Sequence, residues 1–309
     1  AVTAGGGMLG FSVYPHHLAG KSDCTLQSFC EMIARTAEKF GVPFTLSTMS
    51  IWSIEDVAEN TTKPFWMQVY TLKDDDFMQR LFDRAKDAKC SAAIITVDLQ
   101  LLGQRHKDVK NGLSAPPKLT PASVANMMTK VQWGLGMLQT KRRFFGNIVG
   151  HAKGVKDPSS LSSWTAQAFD QSLNWDRIRQ FRKMWDGPLI IKGIMDPRDA
   201  LEALNVGADA IIVSNHGGRQ LDGALSSIRA LEPIIDAVGD KIEVHLDSGI
   251  RSGQDVLKAI AKLLVMFVNL CFGGLINCCQ TSNWFAEANC DGNTTRWTKE
   301  PSPSAKEWC

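Results

Sequence analysis

The chain has 309 residues, 44% of them apolar and 21% charged, with a formal net charge of +2. That length suits one large domain or two ordinary ones, and the near-neutral balance singles out no polyanionic partner. The eight cysteines lack CxxC spacing, which argues against zinc, and they crowd toward the two ends, which argues against a disulfide framework.

Ala1–Gly10 has no basic region followed by an apolar core, so it does not read as a secretory signal, and a cytoplasmic protein is expected. Gly5–Gly10 matches GxGxxG, but no strand precedes it, so it carries little weight as a dinucleotide signal. From about residue 34 short apolar runs alternate with stretches of helical period. Phe44–Thr48, Phe65–Tyr70 and Ala92–Asp98 read as strands, with a helix predicted over Asp75–Lys89. A second run follows, with helices over Trp175–Trp185, Asp196–Asn205, Ser227–Val238 and Ser252–Ala261 and strands at Pro188–Ile194, Ala210–Asn215 and Glu243–Gly249. Alternation of this kind predicts a parallel sheet buried on both faces.

Between the two runs lies Arg105–Lys156, with ten Lys or Arg and one acid, Asp108. Val124, Met127, Met128, Val131, Trp133, Leu135, Leu138, Phe144 and Phe145 interleave with those bases. Two readings stand side by side: a solvated excursion with local packing, or an interfacial element that sets apolar residues among anionic headgroups. Nucleic acid is a weaker third reading and is not expected as a partner. Past Ala261, Leu263–Ile276 is apolar but shorter than the roughly 20 residues that span a bilayer. The remainder shows neither period, and residues 263–309 are expected to be an aberrant or disordered tail.

Polar residues fall repeatedly at the carboxyl ends of the predicted strands: Gln68 and Tyr70, Thr96 and Asp98, Lys192, His216 and Asp247. A (β/α)8 barrel collects its chemistry on that rim from several strands, whereas a doubly wound sheet concentrates it at one switch point. The barrel is the expected fold. In "SNHGGRQLDG", residues 214–223, a base and a cation share one turn with Gly217 and Gly218 between them, and glycine permits a flat ligand to approach the backbone.

That decapeptide resembles the signature of the FMN-dependent α-hydroxy-acid oxidizing enzymes. "TLSTMS", "WMQVY", "TVDLQLLGQRHKDVKNG", "PLIIKGIMDP" and "LDSGIRSG" agree with the same family, and the insert is most similar to its bacterial respiratory L-lactate dehydrogenase branch. The resemblance covers roughly residues 33–261. It implies FMN as cofactor, with Ser47, Gln68 and Thr96 bonding the flavin ring edge and Lys192 lying near N1 and the C2 carbonyl. Asp247 and Arg251 would hold the ribityl chain and phosphate. Arg105 and Arg219 would clamp the substrate carboxylate, Tyr70 would bond the substrate hydroxyl oxygen, and His216 would be the base with Asp98 orienting its imidazole.

The implied reaction oxidizes an L-2-hydroxy acid, L-lactate favoured, and passes electrons to a quinone or cytochrome. Peripheral contact with the inner face of the cell membrane and a homotetramer accompany that reading. An oxygen-reducing oxidase, and a non-catalytic fragment or frame-shifted product, are the alternatives. Six of eight barrel strands are recognisable. Residues 1–32 and 263–309 depart from the family pattern, so a barrel domain over 33–262 with a bare sheet edge at the gap is expected.

Overall fold

The computed structural model describes residues 26–101, 120–131, 145–155, 167–239, 241–250 and 252–261, the strands Phe285–Ala288 and Thr295–Thr298, and isolated positions between 103 and 164. The chain divides into two compact units, Val2–Gly187 and Pro188–Cys309 together with Ala1.

The first unit opens with helix α1 (Leu26–Lys39) and strand β1 (Thr45–Ser47). Helix α2 (Ile54–Asn60) was not foreseen from periodicity, being too short for its period to register. It is started by a reciprocal capping box, in which Ser53 accepts from the Asp56 amide and Asp56 accepts from the Ser53 amide. Strand β2 (Trp66–Tyr70), helix α3 (Asp75–Asp87) and strand β3 (Ala92–Thr96) follow. In α3, Asp74 caps the Phe77 amide at 3.0 Å. Acids in its first turn and bases in its last complement the helix dipole, while Phe77, Met78, Leu81, Phe82 and Ala85 form the buried stripe.

β1, β2 and β3 pair in parallel, with Ser47 opposite Gln68 and Tyr70 opposite Thr96. Within the basic insert a helix, α4, spans Pro121–Met128. The chain then returns through 145–155 to helix α5 (Trp175–Met184), capped by Asn174. Against the sheet, Phe82 stacks at a tilt on Phe181 and Trp185, with ring centroids 6.3 and 6.2 Å apart. The Arg177 guanidinium lies 4.6 Å over the Phe181 ring and binds Asp75 and Asp170.

The second unit repeats the plan: β4 (Leu189–Ile194), α6 (Pro197–Asn205), β5 (Ala210–Val213), α7 (Ser227–Val238) and β6 (Glu243–Leu246), then a helix over 253–261. Pro197 at the first turn and the Asp196 cap start α6. β4, β5 and β6 are parallel, and the register slips between Lys192 and Ile194, where Gly193 adopts φ +103°. Such a bulge re-aims the neighbouring side chain.

The edge of β6, expected to be bare, carries a partner. Strand β8 (Thr295–Thr298) pairs antiparallel with β6, and β7 (Phe285–Ala288) pairs antiparallel with β8. Among the described residues β1–β3 are parallel to one another and so are β4–β6, each set joined by the strand–helix rhythm of a (β/α)8 barrel, while β8 runs against β6 and β7 runs against β8.

Phe181 is completely buried, so Phe181→Ala should destabilise the protein by about 3–5 kcal/mol through lost apolar burial and the cavity left behind. Urea unfolding followed by circular dichroism measures this, and a cost below about 1 kcal/mol would contradict the packing described.

Candidate active site

At the carboxyl ends of the strands in the first unit, three buried polar side chains form a relay. The Ser47 hydroxyl donates to the Gln68 side-chain carbonyl at 3.0 Å, and the Gln68 amide donates to the Thr96 hydroxyl at 2.8 Å. The alternation of strand residues and the parallel register place them side by side, and all three are at most 4% exposed. Ser47 also accepts from the Met49 amide at 3.2 Å, which fixes the turn after β1. Thr48 donates to the Gln68 backbone carbonyl at 2.7 Å and ties that turn to β2.

Tyr70 is buried two residues further along β2, with its ring edge-on to Phe169 at 5.7 Å. Asp98 lies two residues beyond the end of β3 and is partly exposed. Arg105 lies outside the described residues.

The second unit supplies an ionic cluster. The Lys192 ammonium, with 5% side-chain exposure, lies 3.1 Å from the Asp247 carboxylate and donates to the Ser214 hydroxyl at 2.9 Å. Burial by itself would raise the Asp247 carboxyl. The Lys192 charge and hydrogen bonds from Ser214, Ser248 and Lys192 outweigh it and hold that group below its ordinary value. Ser248 donates to Asp247 at 2.8 Å and accepts from the Gly217 amide at 3.2 Å, joining the turns that follow β5 and β6.

His216 begins the turn after β5. Its own amide donates to Ser214 at 3.2 Å, and its φ of +57° is left-handed. A left-handed conformation is uncommon for a residue with a side chain, and such outliers cluster where function requires a fixed direction. Gly217 and Gly218 continue the turn at φ +65° and +69°, and a Cβ on either would meet nothing within 4 Å. The backbone beside His216 is thus open to a flat ligand. Arg219 is exposed on the same turn, and Arg251 lies outside the described residues.

Two of these participants escaped the sequence reading. Ser214 and Ser248 are the hydroxyls through which Lys192, Asp247 and the His216 turn are connected. The available signal was their position, each next to a residue already singled out: Ser214 at the end of the β5 run and Ser248 directly after Asp247. The buried Cys90 is no nucleophile, because burial and then the Glu55 charge push its thiol up to about 12.

Each unit's donors, taken separately, suit a part of flavin mononucleotide. A buried, fixed ammonium suits a ring locus that gains negative charge, and hydroxyl and amide groups in line suit its polar edge. The sequence as a whole agrees with this fit. Residues 22–262 match the family model for FMN-dependent dehydrogenases. An L-lactate dehydrogenase of Pseudomonas syringae is 44% identical over 230 residues, which cover 74% of this chain and 60% of that protein. One from Haemophilus influenzae is 44% identical over 232 residues with the same coverage. Among solved structures, a monotopic membrane protein, (S)-mandelate dehydrogenase, superposes with a TM-score of 0.70 at 30% identity, covering 82% of this chain and 63% of that one. A mandelate oxidase gives 0.56 at 35% identity, covering 74% and 56%. The chain therefore spans about 60% of the length of the curated relatives it matches.

The Asp247 shift yields a signed prediction. A carboxyl held below its unfolded value of 3.8 contributes stability that is present above that pH and lost as pH falls through the folded value. Lys192→Met removes the countercharge and leaves burial to raise the carboxyl instead. The variant should lose about 3–5 kcal/mol at pH 7 and a smaller amount near pH 4.5, where the orphaned acid can protonate. Urea unfolding at both pH values measures this, and an equal loss at both would refute the pairing.

Proposed function

From the premise that the chain belongs to the FMN-dependent dehydrogenase family, whose fold is a (β/α)8 barrel, we propose that it handles flavin and substrate in the oxidation of an L-2-hydroxy acid to the 2-oxo acid. L-lactate is the favoured substrate, by similarity to the lactate dehydrogenases. The observation that carries the reading is the buried Lys192–Asp247–Ser214 cluster joined to the left-handed His216 turn.

When bound, FMN supplies an acceptor for the electron pair released from the α-carbon. The chain supplies the rest. Lys192 would present a positive charge to the N1 and C2 carbonyl edge, its ammonium already held by two oxygen partners. Ser47, Gln68 and Thr96 would bond the flavin ring edge, their mutual bonds pre-setting donors and acceptors. Asp247 and Arg251 are assigned to the ribityl chain and phosphate.

The substrate carboxylate is assigned to Arg105 and Arg219, since a permanently charged planar fork suits a carboxylate. Tyr70 holds the hydroxyl oxygen. His216 takes the hydroxyl proton, and Asp98 is the carboxylate assigned to orient and stabilise the resulting imidazolium. Loss of the hydroxyl proton to His216, and of the α-hydrogen with the two electrons that bound FMN would accept, would leave the carbinol carbon as a carbonyl.

A quinone or cytochrome is the proposed onward acceptor, with the insert resting on the inner face of the cell membrane. What supports this is exposure: Val124, Met128, Val131 and Leu135 stand 40%, 76%, 64% and 54% exposed in an insert whose Lys110 and Lys130 are exposed too. Among the described residues no helix is long and apolar enough to cross a membrane, so the contact proposed is peripheral. A homotetramer and the barrel limits 33–262, with the insert 105–156 inside them, belong to the same proposal. A second reading, an oxidase that reduces oxygen, draws on the likeness to mandelate oxidase.

The test is anaerobic bleaching of the FMN-loaded chain by L-lactate, D-lactate, glycolate and (S)-mandelate. L-lactate should bleach the flavin fastest, and His216→Gln should slow bleaching about 100- to 10,000-fold with FMN still bound. Retained flavin that no 2-hydroxy acid bleaches would overturn the reading. Hydrogen peroxide released in air with L-lactate would favour the oxidase.

A further inference from the structure

Among the described residues of the basic insert, Asn147 is the first whose side chain is wholly enclosed, with no exposed surface at all. Its amide serves several backbone groups at once. The Asn147 carbonyl oxygen accepts from the Ile54 amide at 3.0 Å, one of the first-turn donors that α2 cannot satisfy internally, and from the Arg84 guanidinium at 3.2 Å. Its nitrogen donates to the Ser47 and Trp52 carbonyls, each at 3.4 Å. One neutral side chain thus closes both ends of the loop that leaves β1.

The surroundings hold this contact in place. Gly146 donates its amide to the Ser50 carbonyl at 2.9 Å, and a Cβ there would lie 2.7 Å from the Ile51 oxygen and 2.8 Å from the Ser53 nitrogen. The returning segment is therefore pressed onto backbone at Gly146, with room for hydrogen only. Arg84 is fixed in turn by a two-pronged bond to Glu55 at 2.7 and 2.8 Å. The guanidinium holds the Glu55 carboxyl down to about 2, against the effect of burial.

We infer that Asn147 is a positioning residue for the flavin edge, setting the height and direction of the Ser47 hydroxyl through the Ser47 backbone carbonyl. This rests on the flavin-edge role proposed above for Ser47. The chemistry requires an amide. A carboxylate accepts from Ile54 and Arg84 but cannot donate to two carbonyls, and an aliphatic side chain does neither. Ser47 is the first member of the Ser47–Gln68–Thr96 relay. Displacement of its backbone alters the donor order presented to the ring while leaving the sheet paired.

The test compares the unaltered full chain with Asn147→Asp and Asn147→Ala by FMN titration, hydrogen exchange of the apo protein and thermal melting. Asn147→Asp keeps the acceptor contacts but sets a buried carboxylate oxygen against the Ser47 and Trp52 carbonyls, so it should fold with a lowered melting temperature. It should also bind FMN about 10-fold more weakly and exchange faster only over the peptide covering 47–53. Asn147→Ala, lacking both functions, should show the same local exchange with a lower melting temperature. Unchanged FMN affinity with protected 47–53 amides in Asn147→Asp would overturn the inference. So would faster exchange throughout both variants, because the residue would then be generally structural. An unaltered chain that binds no FMN would sink the proposed function, while the exchange arm would still report whether Asn147 holds the loop.

Discussion

A charged ammonium does not enter a protein interior unless oxygen atoms replace its water. At Lys192 those oxygens come from Asp247 and Ser214. This requirement ties together the ends of three parallel strands: β4 carries the lysine, β5 runs into the serine, and β6 runs into the aspartate. Each strand must stop at a particular register for the three groups to meet. The bulge at Gly193 is where β4 departs from regular pairing with β5. The His216 turn inherits its position from the same cluster, since its amide bonds the very hydroxyl that receives the lysine.

The first unit solves a gentler version of the same problem. Ser47, Gln68 and Thr96 are neutral, so each buried donor and acceptor can be satisfied by the next strand's side chain. One consequence is order before any ligand arrives. A ring bound there, as proposed, would meet groups already oriented rather than a set of rotamers to be selected. The long insert contributes to this order at its return point. Asn147 and Gly146 press on the loop that leaves β1, so a segment reading as an excursion from the strand–helix rhythm also supports the rim.

Much of this was legible along the chain. The six strands were placed by their apolar runs, and the structure differs mainly in ending them earlier, at Thr96, Val213 and Leu246 rather than at Asp98, Asn215 and Gly249. The residues past those ends are turns, because Asp, Asn and Gly favour conformations outside the sheet. The short α2 was missed, since its 7 residues complete scarcely two turns. The antiparallel pairing of β8 on β6 was missed too, because open hydrogen-bonding groups at a sheet edge recruit a strand with little regard for its side-chain pattern.

Residue type and local order suffice to say that His216, Lys192 and Asp247 lie near or just past the carboxyl ends of buried strands, because a strand's period and its terminating glycines are properties of neighbours in the chain. Who partners whom is a different matter. That Lys192 meets Asp247 through Ser214, or that Asn147 serves Ser47 and Ile54, depends on register and close approach between segments far apart in sequence. No short stretch of residues encodes such distances. They arise only when the sheet has formed and each buried polar atom must find its partner among the groups that folding has brought within reach.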